Sequence, residues 1–349
     1  MKWFRKHKIA TAFLLILLII LLLLGTVVGF VWSKLRLIQY DDGTLKETTA
    51  DYQEAEPEET EATEDTGPGV DISGLEEMET FPVIPDVEIR EEDDVVNILV
   101  LGTDERSKDL SENARSDSMI LVSIDKTNKT VKLVSLERGM GVYMETGMKA
   151  GEYDLLTHAF RWGGADLVCD CVETNLRVEV DHYVRVNFTT VRTVVDAIGG
   201  IDIELSEKEA EVLRNYDSGV HAGMNHLDGN VALRYARLRS IDSDWARVKR
   251  QRKVILAAVE ALKGASLKEL NNLLDETLPL IQTDMSMLDI TEMMLYAPNF
   301  LTSEFDQMTI PEKGTYGFKS GIKGFAVDYE VNSQILRDFL YGEEEEVAE

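Results

Sequence analysis

The sequence predicts an α/β domain with a mixed central sheet, preceded by one transmembrane helix. Three observations predict it. An uncharged run of 24 residues lies near the N-terminus. From residue 95 onward, apolar runs of strand length alternate with segments of helical period. An acidic stretch separates the two.

The uncharged run is Ile9–Trp32. At ~1.5 Å per residue it spans ~36 Å, enough to cross a ~30 Å hydrocarbon core with some tilt. Lys2, Arg5, Lys6 and Lys8 precede it, whereas only Lys34 and Arg36 follow before acid takes over. The positive-inside rule then gives a cytoplasmic tail over 1–8, a single-pass helix over 9–32 in the cell membrane, and an extracytoplasmic remainder. A cleaved signal peptide fits less well, because the run exceeds the usual ~7–15 residues and no A-x-A-like site follows.

Residues 41–94 carry a net charge of −19 and few aromatics. The expectation for 33–94 is an acidic, disordered linker that holds the domain off the bilayer. The tail 342–349 is read the same way, with five Glu and no basic residue over 343–349. The whole chain carries −28, and 95–342 carries −10. No broad basic field exists, which excludes a general nucleic-acid binder. With 44% apolar residues, the chain is not disordered throughout.

Within 95–341, Val95–Gly102, Ser118–Asp125 and Thr130–Leu136 read as strands. A helix is expected after Gly163-Gly164, to Leu176. Tyr183–Phe188 alternates as a strand, Thr189–Ile198 is helical to Gly199-Gly200, and Ile201–Leu205 is a strand. Asp228 can cap a helix to about Arg239, and Ser243 or Asp244 another to about Lys263. Residues 265–341 suggest two more helices and a short pair of strands. Cys169 and Cys171 fall on different faces of the helix, so a bond between them is not expected, and with no C-x-x-C pair and no His nearby neither is a zinc site.

Asp104 and Arg106 follow one strand, in GTDER, and Arg115 and Asp117 precede the next, in RSDSM. If the strands are antiparallel neighbours, the two carboxylates meet at one end of the sheet. They then make either a magnesium site open to water and phosphate or an Asx turn with an ordinary loop ion pair. Arg138 directly follows the third strand. Between Arg234 and Lys253 the net charge is +6, from Arg234, Arg237, Arg239, Arg247, Lys249, Arg250, Arg252 and Lys253 against Asp242 and Asp244. Arg247, Arg250 and Gln251 share a helical stripe near the helix start, where unpaired N–H groups add positive potential. The cluster is either an anion site or a solvated basic face. No G-x-S-x-G, H-E-x-x-H or P-loop is present. Acids, arginines and a metal without a covalent nucleophile suit phosphoryl transfer, where catalysis is mostly positioning and charge neutralisation.

In this order, GTDER, RSDSMILVSID, the strand before Arg138, HAFRWGG (158–164), HYVRVNF (182–188), VVDAIGGIDI (194–203), HLDGNVALRYARLR (226–239) and DWARVKRQ (244–251) resemble the LytR–CpsA–Psr family of cell-wall polymer ligases. The resemblance implies an α/β/α sandwich with an apolar lipid pocket. It implies a phosphotransferase that moves a glycan phosphate from a polyprenyl-pyrophosphate carrier to the muramic acid 6-hydroxyl of peptidoglycan, as in attachment of teichoic acid or capsule, with Mg²⁺ or Mn²⁺. Carried over, Asp104 and Asp117 hold the metal. Arg106, Arg115, Arg138, Arg237, Arg239, Arg247, Arg250 and Gln251 grip the pyrophosphate, and Asp104, Asp117 and Arg138 form the catalytic group. Gly139 departs from the family's usual acid after the arginine, Thr157 from an Asn and Arg252 from a Gln. Two other readings stay open: a pyrophosphatase on the same lipid-linked glycan, and a non-catalytic envelope binding or regulatory protein.

Overall fold

The computed structural model describes residues 29–41, 72, 74–104, 114–239, 241–302 and 305–342. Most of the apolar run 9–32 lies outside them, as do 42–71, Arg106 and the acidic end 343–349. Among the described residues, no helix is long and apolar enough to cross a membrane.

In chain order the elements are β1 (Gln39–Tyr40), β2 (Val95–Thr103), β3 (Ser116–Asp125), β4 (Thr130–Leu136), β5 (Gly141–Tyr143), β6 (Tyr153–Leu155), α1 (Leu156–Leu176), β7 (His182–Asn187), α2 (Phe188–Ala197), β8 (Ile201–Leu205), α3 (Glu207–Leu213), β9 (Gly223–Leu227), α4 (Gly229–Ala236), α5 (Asp244–Lys263), α6 (Leu267–Thr277), β10 (Gln282–Thr283), α7 (Met287–Thr302), β11 (Phe305–Ile310), β12 (Tyr316–Gly317), β13 (Ala326–Val327) and α8 (Tyr329–Tyr341). Seven strands form one mixed sheet in the order β1-β10-β7-β2-β3-β4-β11. β2, β3 and β4 make an antiparallel meander, while β7 joins β2, and β11 joins β4, in parallel.

Alternation along the central strands sends side chains to both faces. Leu99, Leu101, Leu121 and Val134 share one core with Phe160 and Val168 of α1 and Leu336 of α8. Their neighbours point the other way. Ile98 and Ile124 pack with Ile290 and Met293 of α7, and Ile120, Val131 and Leu133 with Ile255 and Leu256 of α5. Each fully buried Leu or Val contributes roughly 1.5–3 kcal/mol. A separate cluster around Ile201, Leu227, Val231 and Tyr235 gathers β8, β9, α2 and α4 against Val254 of α5.

Several expectations need correction. The helix expected to start after Gly164 starts at Leu156 and bends at Gly163–Gly164, where φ is −165° and +72°. Glycine meets no Cβ clash at +72°, so the bend is local to these two residues. α4 stops at Ala236 rather than near Arg239, which places Arg237 and Arg239 on the connection to α5. The described residues of 265–341 hold three α-helices, and β11 extends the main sheet.

The linker expectation for 33–94 also fails where that stretch is described. Leu35 and Ile38 are buried, and Gln39–Tyr40 pair with Gln282–Thr283 at the sheet edge. The carbonyls of Pro82 and Pro85 accept hydrogen bonds from Tyr153 and Arg177. Acidic composition averaged over the stretch hid these few apolar and proline positions, which pack without a long apolar run.

Candidate active site

The site grows from an irregularity in β3. Gly102 pairs with Ser118, but Thr103 pairs with Ser116, so Asp117 is the extra residue of a β-bulge. Such bulges re-aim a side chain, and Asp117 stands on the rim of a cavity. Gly102 permits the close approach opposite: a Cβ there would lie 2.9 Å from that of Ser118. Asp104 closes the loop instead. Its Oδ1 accepts from the Arg115 N–H at 2.9 Å, and its own N–H donates to the Arg115 carbonyl at 3.1 Å.

Behind Asp117 lies Arg138, two residues past β4 and 2% exposed. Its Nη1 donates to Asp117 Oδ1 and its Nε to Asp244 Oδ2, each at 3.0 Å. Arg247 Nη2 donates to the same Asp244 oxygen at 2.7 Å. Arg239 Nη2 donates to Asp117 Oδ2 at 3.2 Å. Three guanidinium groups therefore interlock with two carboxylates. Burial depresses the Arg247 pKa to about 10; Arg138 and Arg239 add to this, and Asp244 opposes it. The Arg247 Nε has no hydrogen-bond partner among the described residues.

Next to Arg138 in the chain is Glu137, fully buried, with its carboxyl group beside that of Asp244. Burial, and then repulsion from Asp244, raise its pKa to about 8 against the pull of Arg247 and Arg138. Glu137 is therefore mostly protonated at neutral pH, which spares the network a third negative charge.

α5 distributes its polar residues by face. Arg247 and Gln251, one turn apart, line the cavity, and Gln251 accepts from the Ser118 hydroxyl at 3.0 Å. Arg250 turns elsewhere. It forks onto both oxygens of Asp242 at 2.7 Å and onto the Leu238 carbonyl at 2.6 Å, fastening the α4–α5 connection. Arg252 reaches the sheet, donating to the Ser135 hydroxyl, the Met308 carbonyl and the Thr309 hydroxyl. The Gln-to-Arg departure at this position thus faces away from the cavity.

The cavity measures about 300 Å³. Val100, Ile120, Val186, Val191, Ala236 and Val254 contribute apolar wall, and Asp117, Arg239, Arg247 and Gln251 its polar rim. Arg237 also borders it, stacked on Phe188 with 4.0 Å to the ring centre.

Of the residues singled out in the sequence, Asp117, Arg237, Arg239, Arg247 and Gln251 come together around this cavity, with Arg138 in support. Asp104 and Arg115 lie at the adjoining loop, Arg250 is engaged elsewhere, and Arg106 is outside the described residues. Sequence reasoning missed Asp244 and Glu137. The spacing of Asp244 and Arg247, three apart in one helical turn, was the available signal for the first. Nothing in the sequence marked the second as buried.

Fold and site define a mixed-sheet α/β protein that presents interlocked arginines and aspartates over an apolar cavity. The chain belongs to the LytR–CpsA–Psr family, whose model (LytR_cpsA_psr) matches residues 44–338. It is similar to the polyisoprenyl-teichoic acid–peptidoglycan teichoic acid transferase TagT of Bacillus subtilis (strain 168), 30% identical over 65% of this chain and 72% of the relative. It is also similar to the transferase of that class named TagU from Enterococcus faecalis, 32% identical over 69% and 78%. With TagU of Bacillus mycoides the identity is 36%, over 51% of this chain and 55% of the relative. A solved structure of TagT bound to LI-WTA superposes with a TM-score of 0.58 at 27% identity, covering 72% of this chain and 94% of that one.

Proposed function

We propose that this protein is a membrane-anchored phosphotransferase that moves a phosphate-linked glycopolymer from a polyisoprenyl pyrophosphate carrier to peptidoglycan. The observation that carries the reading is the join of opposite chemistries at one cavity: apolar walls for an isoprenoid, and a rim of Arg239, Arg247, Asp117 and Gln251 for its diphosphate. Arginine forks match phosphate oxygens in pairs. At about 300 Å³ the cavity stands at the lower end of ligand pockets, ~300–1,000 Å³, so it takes part of a long polyprenyl chain and leaves the rest outside. The names of the relatives support the substrate class.

In the proposed reaction an acceptor hydroxyl forms a new P–O bond to the sugar-bearing phosphorus. The bond from that phosphorus to the bridging oxygen breaks, polyisoprenyl phosphate leaves with that oxygen, and the hydroxyl proton passes to solvent. Arg239 and Arg247 hold the phosphate oxygens and offset the charge that builds on them. Burial keeps Arg247 dry, which strengthens its hold on an anion.

Among the described residues, no three His, Cys, Asp or Glu side chains group to hold a metal. Asp104, with one carboxylate oxygen free of hydrogen bonds from the described residues, and Asp117 still suit magnesium or manganese, because such ions keep several water ligands and share phosphate oxygens. These two residues would hold the ion, and it would supply charge neutralisation at the phosphates. The basic N-terminal flank and the run Ile9–Trp32 support a single-pass anchor with the domain outside the cell.

The test is transfer by the purified full-length chain, given a lipid-linked glycopolymer with and without peptidoglycan. Polymer joined to peptidoglycan, lost with EDTA and regained with Mg²⁺, is expected. Release of polymer phosphate to water at the same rate without acceptor would favour a pyrophosphatase, and binding with no turnover a regulatory protein.

A further inference from the structure

We propose that a second, arginine-lined cavity beside the first binds phosphodiester groups of the glycopolymer, beyond the pyrophosphate. The proposal rests on the transferase reading for the direction in which the polymer leaves the site.

The second cavity measures about 570 Å³ and lies between α2, α3 and α4. Phe188, Leu233, Arg237 and Arg239 border both cavities, so the two adjoin at those side chains. Their chemistry differs. The first has walls of Val, Ile and Ala, whereas the second is lined by Arg192, Arg234, Arg237 and Arg239 with Thr189 and Asn230. Among the described residues, no acidic one lines it.

That charge is unusual in a chain of −28. Arg138, Arg239, Arg247 and Arg250 each meet a carboxylate. Arg192 and Arg234 pair with none among the described residues, although both are exposed beside the cavity. Two aromatic rings fix the guanidinium planes: Arg234 lies 4.3 Å from the Tyr216 ring centre and Arg237 4.0 Å from that of Phe188. Stacked on Tyr216, the Arg234 guanidinium presents an N–H edge of the kind that suits phosphate oxygens. Arg192 and Arg234, on a hollow that Arg237 and Arg239 also border, leave two cations uncompensated among the described residues, and these suit an anion with more than one charged group. A chain of sugar or alditol phosphates meets that need. With its pyrophosphate at the shared Arg237 and Arg239 and its lipid in the apolar cavity, the donor's next phosphates reach the second hollow.

The experiment uses the full-length chain and a lipid-free glycerol phosphate oligomer, with a neutral glucan oligomer and a muropeptide as comparison probes, followed by titration calorimetry. The wild type is expected to bind the phosphate oligomer at least tenfold tighter than either comparison probe. The double variant Arg192→Gln/Arg234→Gln should lose at least tenfold of that affinity. Arg161→Gln, the same charge loss at an exposed α1 position, should match the wild type. Equal oligomer binding by double variant and wild type overturns the proposal, as does a wild type that prefers the muropeptide or binds no oligomer. If the double variant does not fold, Arg234→Ala alone, read by the same titration, decides it by a loss or no loss of affinity. Absence of transfer from any lipid-linked donor, with oligomer binding intact, counts against the transferase reading and leaves this cavity assignment standing.

Discussion

Arg138 Nη1 lies 3.0 Å from Asp117 Oδ1, and the arginine is buried while the aspartate reaches the cavity rim. Because its Nε also binds Asp244, one guanidinium sets two carboxylates at a fixed separation. Arg138 lies outside the cavity lining, so it acts as a positioning residue. Arg138→Ala leaves Asp117 with Arg239 and Asp244 with Arg247 as their remaining cations, and is expected to destabilise the fold by about 1–3 kcal/mol through the lost charged hydrogen bonds. Arg138→Lys keeps the charge but cannot span two carboxylates as a fork. It should retain most of the stability and lose at least tenfold in kcat with little change in KM. Urea unfolding and transfer assays on both variants check this, and wild-type turnover by the lysine variant would remove the need for the fork.

Glu137 makes stability depend on pH. Its carboxyl ionises near 4.5 when unfolded and near 8 in the fold, where burial and Asp244 oppose its charge. Between those values the folded chain holds a proton that the unfolded chain has lost. Stability therefore falls as pH rises through this window, by at most about 1.4 kcal/mol per unit from this group. Glu137→Gln, which is neutral throughout, should flatten the decline between pH 5 and pH 8. Denaturant unfolding at a series of pH values measures the difference in slope.

The central sheet was legible because its strands are short, mainly apolar segments bounded by turn residues: Thr130–Leu136 starts and stops where the sequence reading places it. Arg247 and Gln251 were legible because helical spacing alone puts them on one face. Arg250 shares that stripe in projection, but the carboxylate of Asp242, on the preceding connection, draws it away. Which cation meets which anion depends on how a loop folds back, and periodicity carries no such information. The same holds at Gly139. The sequence shows only a missing acid there, whereas the fold puts a buried carboxyl two residues earlier, at Glu137. β1 was illegible because two residues at a sheet edge carry no pattern until β10 pairs with them.

The HAFRWGG stretch has a structural use. His158 and Trp162, one turn apart on α1, both reach Asp154, at 3.0 Å and 3.1 Å, and the Leu155 N–H donates to it at 2.8 Å. Burial alone would raise the Asp154 pKa, but the His158 and Leu155 bonds, with the charges of His158 and Lys323, hold it down to about 2. A depressed carboxylate stabilises the fold above its unfolded pKa, and this contribution fades as pH falls from about 4 toward 2. Asp154→Asn is expected to lose about 2 kcal/mol at pH 7. It should also show a shallower loss of stability below pH 4. Thermal unfolding of both proteins between pH 2 and pH 7 tests this.

Ala236 ends α4 at the apolar wall, 7% exposed, where it borders both the cavity and the buried cluster of β8, β9 and α4. A lipid that enters this cavity must compete with any larger side chain there, whereas a water-soluble donor with a short or absent prenyl tail need not. Ala236→Trp is therefore expected to cut transfer from a long-chain polyisoprenyl donor at least tenfold, chiefly through KM, and to cut transfer from a short-chain donor much less. Each methylene kept out of the cavity forfeits about 0.8 kcal/mol of binding. The penalty should accordingly grow with the number of isoprene units and then level off, once the chain outruns the about 300 Å³ available. Transfer kinetics across a series of donor chain lengths, with circular dichroism to verify folding, make the comparison. An equal loss at every chain length would place the lipid somewhere other than this cavity.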